Sequence, residues 1–438
     1  MSVIRPKPPV EPLHVAGAAA FAAGGLDGER LAPLLGAARA DLLAAVDASR
    51  ATAEDHAGRP ADAEAAGIDL PDRLLAAYTT SRPQSELYAI LQAAHRMRDE
   101  VDRLIVIGAG GCHYGPRLLF ETCCHPLHNE LSRGDRGGRP RVSFAGDAFD
   151  DDLVQGLLDL VAPAGRPMSD DLLDRWAMLV ADPLVVHGAA APVASTAVST
   201  RLFLAALDAS VGGDAGRRAA RLLTIAAPTT RLAAVGRAVG CRHTFTMLPG
   251  LPEACLVFTA AGLLPAALAG IDVVRFLEGA AAVMRRFREA PVDVNPALQV
   301  AGATHCAGGR GMHVQMVAPP AGRLEAVCRW HDACVDRRGT AAGGLLDIRL
   351  VVAEPRRDPL ALPAVGAMCD DVDGLDAFVG RRCSDVAGSA GPDAARGGES
   401  RPHITIRLPR VDEHAIGQLV QLHVLAAAIT RRLFAAGA

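Results

Sequence analysis

The chain has 438 residues, half of them apolar but only 4% aromatic, and a formal net charge of −4. That length supplies two or three lobes with cores of their own, while the weak negative charge, with no dense basic patch interleaved with aromatics, argues against nucleic acid as a partner. A single lysine, Lys7, is present, so a mechanism needing a lysine amine in the folded body has none to use.

From the N-terminus, "MSVIRPKPPVEPLHVAGAAAFAAGG" has no charged stretch followed by a continuous apolar one, so a signal peptide is not expected. With no CxxC pair among the ten cysteines, free thiols in a reducing cytoplasm are the expectation. Residues 1–66 read as an N-terminal helical region, with a polar linker from Arg50 to Gly67. Strands are predicted at Arg103–Ile107, Arg141–Ala145, Trp176–Ala181, Arg221–Ala226 and His243–Leu248. Helices such as Pro116–Cys124, Asp151–Leu160 and Thr200–Ala209 fall between them. Strands apolar on both faces and spaced by helices predict a parallel sheet covered on both sides. The boundaries are 67–250 for this first lobe, 251–300 for an apolar helical connection and 301–438 for a second α/β lobe, with strands at Met312–Val317, Leu346–Ala353 and His403–Leu408. The longest uncharged run, Ala254–Ile271, holds Pro265 and reads as a buried helix of a soluble core, not a membrane span. Asn129–Pro140 and Ser384–Pro402, polar and rich in glycine and proline, read as exposed, mobile loops.

"RLIVIGAGGCHYGPR" (Arg103–Arg117) carries the first chemical signal. A buried strand breaks at Gly108, Gly110 and Gly111 and runs into a helix, which is how a chain cradles a small polar ligand at a strand end. Cys112, His113, Cys123, Cys124, His125 and His128 crowd this unit, but they lack the paired CxxC or HxxxH spacing of zinc sites. A thiol at a helix N-terminus has a lowered pKa, which makes redox activity of Cys112 a competitor to a purely structural role.

These landmarks together resemble the phosphoglucose isomerases. "VDRLIVIGAGGCHYGPRLLFET" is similar to that family's Gly-Ile-Gly-Gly-Ser loop and is preceded by "GIDLPDRLL". "AAGLLPAALAGIDVVRFLEGAA" (Ala260–Ala281) with "NPAL" (Asn295–Leu298), and "RPHITIRLPRVDEHAIGQLVQLHVLAAAI" near the end, follow in the family's order. The resemblance implies two sugar-isomerase (SIS) lobes, each a parallel sheet sandwiched between helices (a three-layer αβα arrangement). It also implies a homodimer and a sugar-phosphate substrate, with no cofactor, metal or membrane. The apolar segments Ala260–Ile271 and Ile416–Ile429 add to the expectation of a dimer.

Residue by residue, the same resemblance implies that the chemistry has been lost. An aldose–ketose isomerase needs a carboxylate base, a cation for the enediolate and an acid–base pair for ring opening. The family's arginine position holds Ala254. Its glutamate position holds Arg337, with Asp336 beside it, and its histidine position holds Leu345. The lysine motif does not occur ahead of the terminal "RRLFAAGA". For the phosphate, "VASTAVSTRLFLAAL" offers Ser195, Thr196, Ser199 and Thr200, with Arg201 as a substitute cation, and Cys112 stands for the loop serine. The expected binding residues are therefore Gly108, Gly110, Gly111, Cys112, His113, Ser195, Thr196, Ser199 and Thr200. No residue is assigned a catalytic role. The function expected is that of a weak or inactive homologue binding a sugar phosphate. An active isomerase of glycolysis and gluconeogenesis and a non-catalytic interaction protein are the alternatives.

Overall fold

The fold was analysed in a computed structural model, which describes residues 11–18, 28–52, 62–162, 168–169, 171–182, 194–319, 322–335, 344–354, 360–364, 376–383 and 401–437. Two sheets organise it. The first contains β2 (Arg103–Ile107), β3 (Arg141–Ala145), β4 (Trp176–Ala181), β5 (Leu222–Ala226) and β6 (His243–Thr246) in the order β3-β2-β4-β5-β6, all parallel. Alternate side chains of β2 enter separate cores: Leu104 and Val106 on one face, Ile105 and Ile107 on the other. That is the sandwiched parallel sheet its two-faced apolar strands require.

The second sheet has the order β1-β9-β8-β7, built from β1 (His14–Ala16), β7 (His313–Val317), β8 (Leu345–Glu354) and β9 (His403–Arg410). β7, β8 and β9 are parallel, while β1 pairs antiparallel to β9 and brings the N-terminal segment into the second lobe. Three residues without a strong alternation gave no sign of that strand. The helices, in chain order, are α1 (Gly28–Thr52), α2 (Ala63–Thr80), α3 (Glu86–Glu100), α4 (Gly111–Cys123), α5 (Asp151–Val161), α6 (Ala194–Ser210), α7 (Ala215–Arg221), α8 (Arg231–Val239), α9 (Ala260–Leu268), α10 (Val273–Glu289), α11 (Pro296–Gly309), α12 (Glu325–Cys334) and α13 (Glu413–Ala435).

Several expectations change on contact with the tertiary structure. The uncharged run at 254–271 is not one helix. A 3₁₀ segment (Glu253–Phe258) ends at Thr259, whose hydroxyl caps α9 by accepting from Ala261 N. Pro265 sits within α9. The apolar segments expected to drive dimerisation are spent inside one chain: α9 is almost wholly buried, and α13 packs on α10, α11 and α1. α4 begins five residues before its predicted start, because Gly110 turns the chain directly into the helix.

The loop 129–140, expected to be mobile, is tied down. Asp102, fully buried at the start of β2, accepts from Arg133 Nη1 at 2.8 Å and Arg136 Nη2 at 2.6 Å, and also from Arg141. Its carboxylate thus ties Arg133 and Arg136 of the loop to Arg141 at the start of β3. Most of the other polar loop (384–400), the Asp336–Arg337 pair and most of the linker (53–61) lie outside the described residues.

Burial also sets a pH dependence. His113, His128, His243, His305, His414 and His423 are all held below the ordinary histidine pKa, burial being the largest cause. On acidification below about 6.5, the unfolded chain takes up protons that the folded chain refuses. Stability must therefore fall, by up to about 1.4 kcal/mol per pH unit for each histidine. Asp72, Glu86 and Glu253, held above the usual carboxyl range by burial, act in the opposite sense, three groups against six. Denaturant midpoints measured between pH 7.5 and 5.5 should decline steadily; a flat profile contradicts this account.

Candidate functional site

The chain enters the first sheet at β2, passes outward to β3, then crosses back over β2 to β4. The direction of winding reverses there, which places a crevice outside the carboxyl ends of β2 and β4. Gly108–Cys112 follows β2 directly at this edge, where a ligand would be expected.

Each glycine of the loop has a steric reason. A Cβ on Gly108 would lie 2.9 Å from Cys112 Cβ, and one on Gly111 would lie 2.1 Å from the Glu253 carbonyl oxygen. Gly110 has φ +52°, and a Cβ there would meet the Glu253 carboxylate at 2.7 Å. At Gly111 the backbone of the 3₁₀ segment comes so close that no side chain larger than hydrogen fits.

Those distances also reveal what occupies the loop. Gly110 N donates to Asp147 Oδ1 at 2.9 Å, and Tyr114 Oη donates to Asp147 Oδ2 at 2.8 Å. The Glu253 carboxylate lies against the same turn, close enough to meet a Cβ on Gly110. The amides at the start of α4, a ready anion site, thus face two carboxylates of the chain itself. Burial is the main cause that raises the Glu253 pKa; the neighbouring Asp147 charge adds to it and the Gly111 amide opposes it. Asp182, just past β4 and nearly fully buried, adds a third carboxylate to this edge. It and Glu253 both help to raise the Cys112 pKa, after burial.

The remaining expected residues are placed as follows. Cys112 is fully buried, and burial pushes its thiol well up, reversing the lowered pKa expected at a helix N-terminus. His113 is buried, packs edge-on against Phe144 and Tyr114, and has Nε2 3.4 Å from Arg117 Nη1. Ser195 Oγ donates to Gly146 O at 2.9 Å with Asp147 O at 3.0 Å, and Thr196 Oγ1 donates to Gly146 O at 2.8 Å. Thr200 Oγ1 donates back to Thr196 O at 2.7 Å. Each of these hydroxyls has one proton to give, and it goes to a backbone carbonyl. Ser199 is fully buried, and its Oγ has no hydrogen-bond partner among the described residues. Arg201 is exposed. Ala254 is buried in the 3₁₀ segment, and Leu345 opens β8.

Across the crevice, α12 ends at Cys334. Its pKa is raised well above the ordinary value by burial first, then by Glu253, Cys112 and Asp147. Here the second lobe meets the glycine loop of the first. Sequence reasoning missed Asp147 and Glu253. The available signals were a Gly-Asp step at the end of β3, and a carboxylate one residue before the position where the family's arginine belongs.

Two lobes built on parallel strands, with a glycine loop at a switch-point crevice, define an α/β protein of the doubly wound kind. Comparison shows what the chain resembles. It is 27% identical to the glucose-6-phosphate isomerase of Rubrobacter xylanophilus over 384 residues, covering 81% of this chain and 82% of that one. It is 28% identical to the glucose-6-phosphate isomerase of Symbiobacterium thermophilum over 263 residues, which span 60% of this chain and 53% of that relative. Among solved structures, a hypothetical protein from Thermus thermophilus superposes with a TM-score of 0.69 at 20% identity, covering 96% of this chain and 94% of that one. A glucose-6-phosphate isomerase from Chlamydia trachomatis gives 0.61 at 13% identity, covering 93% and 82%. No family model matches the chain. These similarities support reading the chain as a divergent relative of the glucose-6-phosphate isomerases. No helix among the described residues is long and apolar enough to cross a membrane.

Proposed function

We propose that this protein is a non-isomerising homologue of glucose-6-phosphate isomerase whose first-lobe crevice no longer holds a sugar phosphate through its glycine loop. The carrying observation is the pair of carboxylates at the glycine loop: Asp147 accepts from the Gly110 amide, and Glu253 lies against the same turn. A phosphate brought to the same amides would face like charges. At about 4 Å each such pair costs ~1 kcal/mol in water and ~4 kcal/mol near a protein surface. The hydroxyls of Ser195, Thr196 and Thr200 are turned to backbone carbonyls, which removes further donors.

Calorimetric titration of the purified chain with glucose 6-phosphate and fructose 6-phosphate tests this reading. Little or no saturable binding is expected at pH 7.5. Glu253→Ala removes one charge and clears the loop, so it should bind at least about tenfold tighter than the parent. Tight binding by the parent, or a folded Glu253→Ala protein that binds no better, overturns the reading.

A second reading has one observation in its favour. Glu253, held above the usual carboxyl range beside Asp147, has the environment of a general acid–base group. On this reading the chain is an aldose–ketose isomerase with a relocated base.

A further inference from the structure

The carboxyl edge of the second sheet carries a different cavity, of about 150 Å³, lined by Glu11, Arg275, Glu354, Arg410, Asp412 and His414. β8 ends at Glu354 and β9 at Arg410, paired in register, and α13 begins just beyond, with Asp412 as its cap. This is the edge at which open α/β sheets bind ligands. The positive end of α13 also points there.

The charges are built into the fold. Arg275 and His414 are more than nine-tenths buried. Arg275 Nη2 lies 3.5 Å from Asp412 Oδ2, and Arg410 Nη2 donates to Glu354 Oε2 at 3.1 Å. The protonation of His414 follows from its neighbours. Leu13 N donates to Gln418 Oε1 at 3.0 Å, which fixes the amide so that Gln418 Nε2 faces His414 Nδ1 at 3.0 Å. That nitrogen must accept, so the ring is neutral with its proton on Nε2. Burial also holds its pKa below the ordinary value, in agreement.

The lining therefore carries three carboxylates and two guanidinium groups, a net charge of −1 (2 − 3). A free dianion would face three carboxylates, and a simple amine would face two arginines. A molecule with both charges a few ångströms apart matches both sets. A dry cavity of about 150 Å³ holds benzene, about six non-hydrogen atoms, which is the size of a small amino acid.

We propose that this cavity is a binding site for a small zwitterion, an α-amino acid of the size of alanine. Its carboxylate sits toward Arg275, Arg410 and the start of α13, and its ammonium toward Glu11 and Glu354. The site is separate from the first-lobe crevice and stands whether or not the chain isomerises sugars.

The test is calorimetric titration of the full chain with L-alanine, with propionate, ethylamine and inorganic phosphate as single-charge probes. L-Alanine should bind saturably with a Kd on the order of 1 mM. Propionate and ethylamine should bind at least about tenfold more weakly, each lacking one charge-assisted contact. Arg410→Gln should weaken alanine binding about tenfold. Glu354→Gln, an exposed position that the fold tolerates, should do the same from the ammonium side. Absence of saturable alanine binding overturns the proposal. So does propionate, ethylamine or phosphate binding as well as alanine, or full-strength binding retained in both variants.

Discussion

Purified free of host isomerase, the protein should interconvert glucose 6-phosphate and fructose 6-phosphate at least ~10,000-fold more slowly than an ordinary isomerase. Losing a general acid–base group costs ~100- to 10,000-fold. Losing a preorganised charge stabiliser costs a further ~100- to 1,000-fold, although such factors do not simply multiply. On the sequence resemblance, the family's arginine position falls on Ala254, which is buried in the 3₁₀ segment, and its histidine position on Leu345, which opens β8. At the glycine loop the Gly110 amide is taken by Asp147, and the Glu253 carboxylate lies against the turn. A coupled assay should be run in parallel on Glu253→Gln prepared identically. A rate near that of an ordinary isomerase overturns the proposal. If that rate collapses in Glu253→Gln, the base has moved to Glu253 and the second reading holds.

Asp102→Asn should destabilise the protein by about 3–5 kcal/mol, the cost of breaking a buried ion pair from one side. The carboxylate is fully buried and receives three guanidinium groups, of which Arg136 is itself buried. Neutralising it leaves those cations without a counter-charge, where burial already depresses the Arg136 pKa. The melting temperature should drop on the order of 10 °C. Asp102→Leu combined with Arg136→Met should cost less than the two single changes added together, because the pair leaves jointly. A shift of under about 1 kcal/mol for Asp102→Asn would mean that the network is ornamental. The effect also bears on the crevice, since Asp102 anchors the start of the strand that leads into Gly108.

The sequence by itself determined the strands of the first sheet and the position of its glycine loop. β2, β3 and β4 begin and end where their apolar runs do. A parallel strand buried on both faces leaves little freedom in pattern or length. The family landmarks were legible for a similar reason: each is a local string, and its glycines answer local demands, a positive φ at Gly110 and a close backbone at Gly111. Tertiary structure decided everything that depends on residues far apart in the chain. β1 joins β9 across almost four hundred positions. The apolar runs at 260–271 and 416–429 look available for a partner until the helices beside them are in place. Glu253 lies more than a hundred residues from the loop it covers, and Asp147 becomes a loop ligand only because β3 lies beside β2. A hydroxyl in a sequence reads as a donor for phosphate. Only the fold shows that the protons of Ser195 and Thr196 already go to Gly146, because hydrogen-bond commitment is a property of neighbours in space.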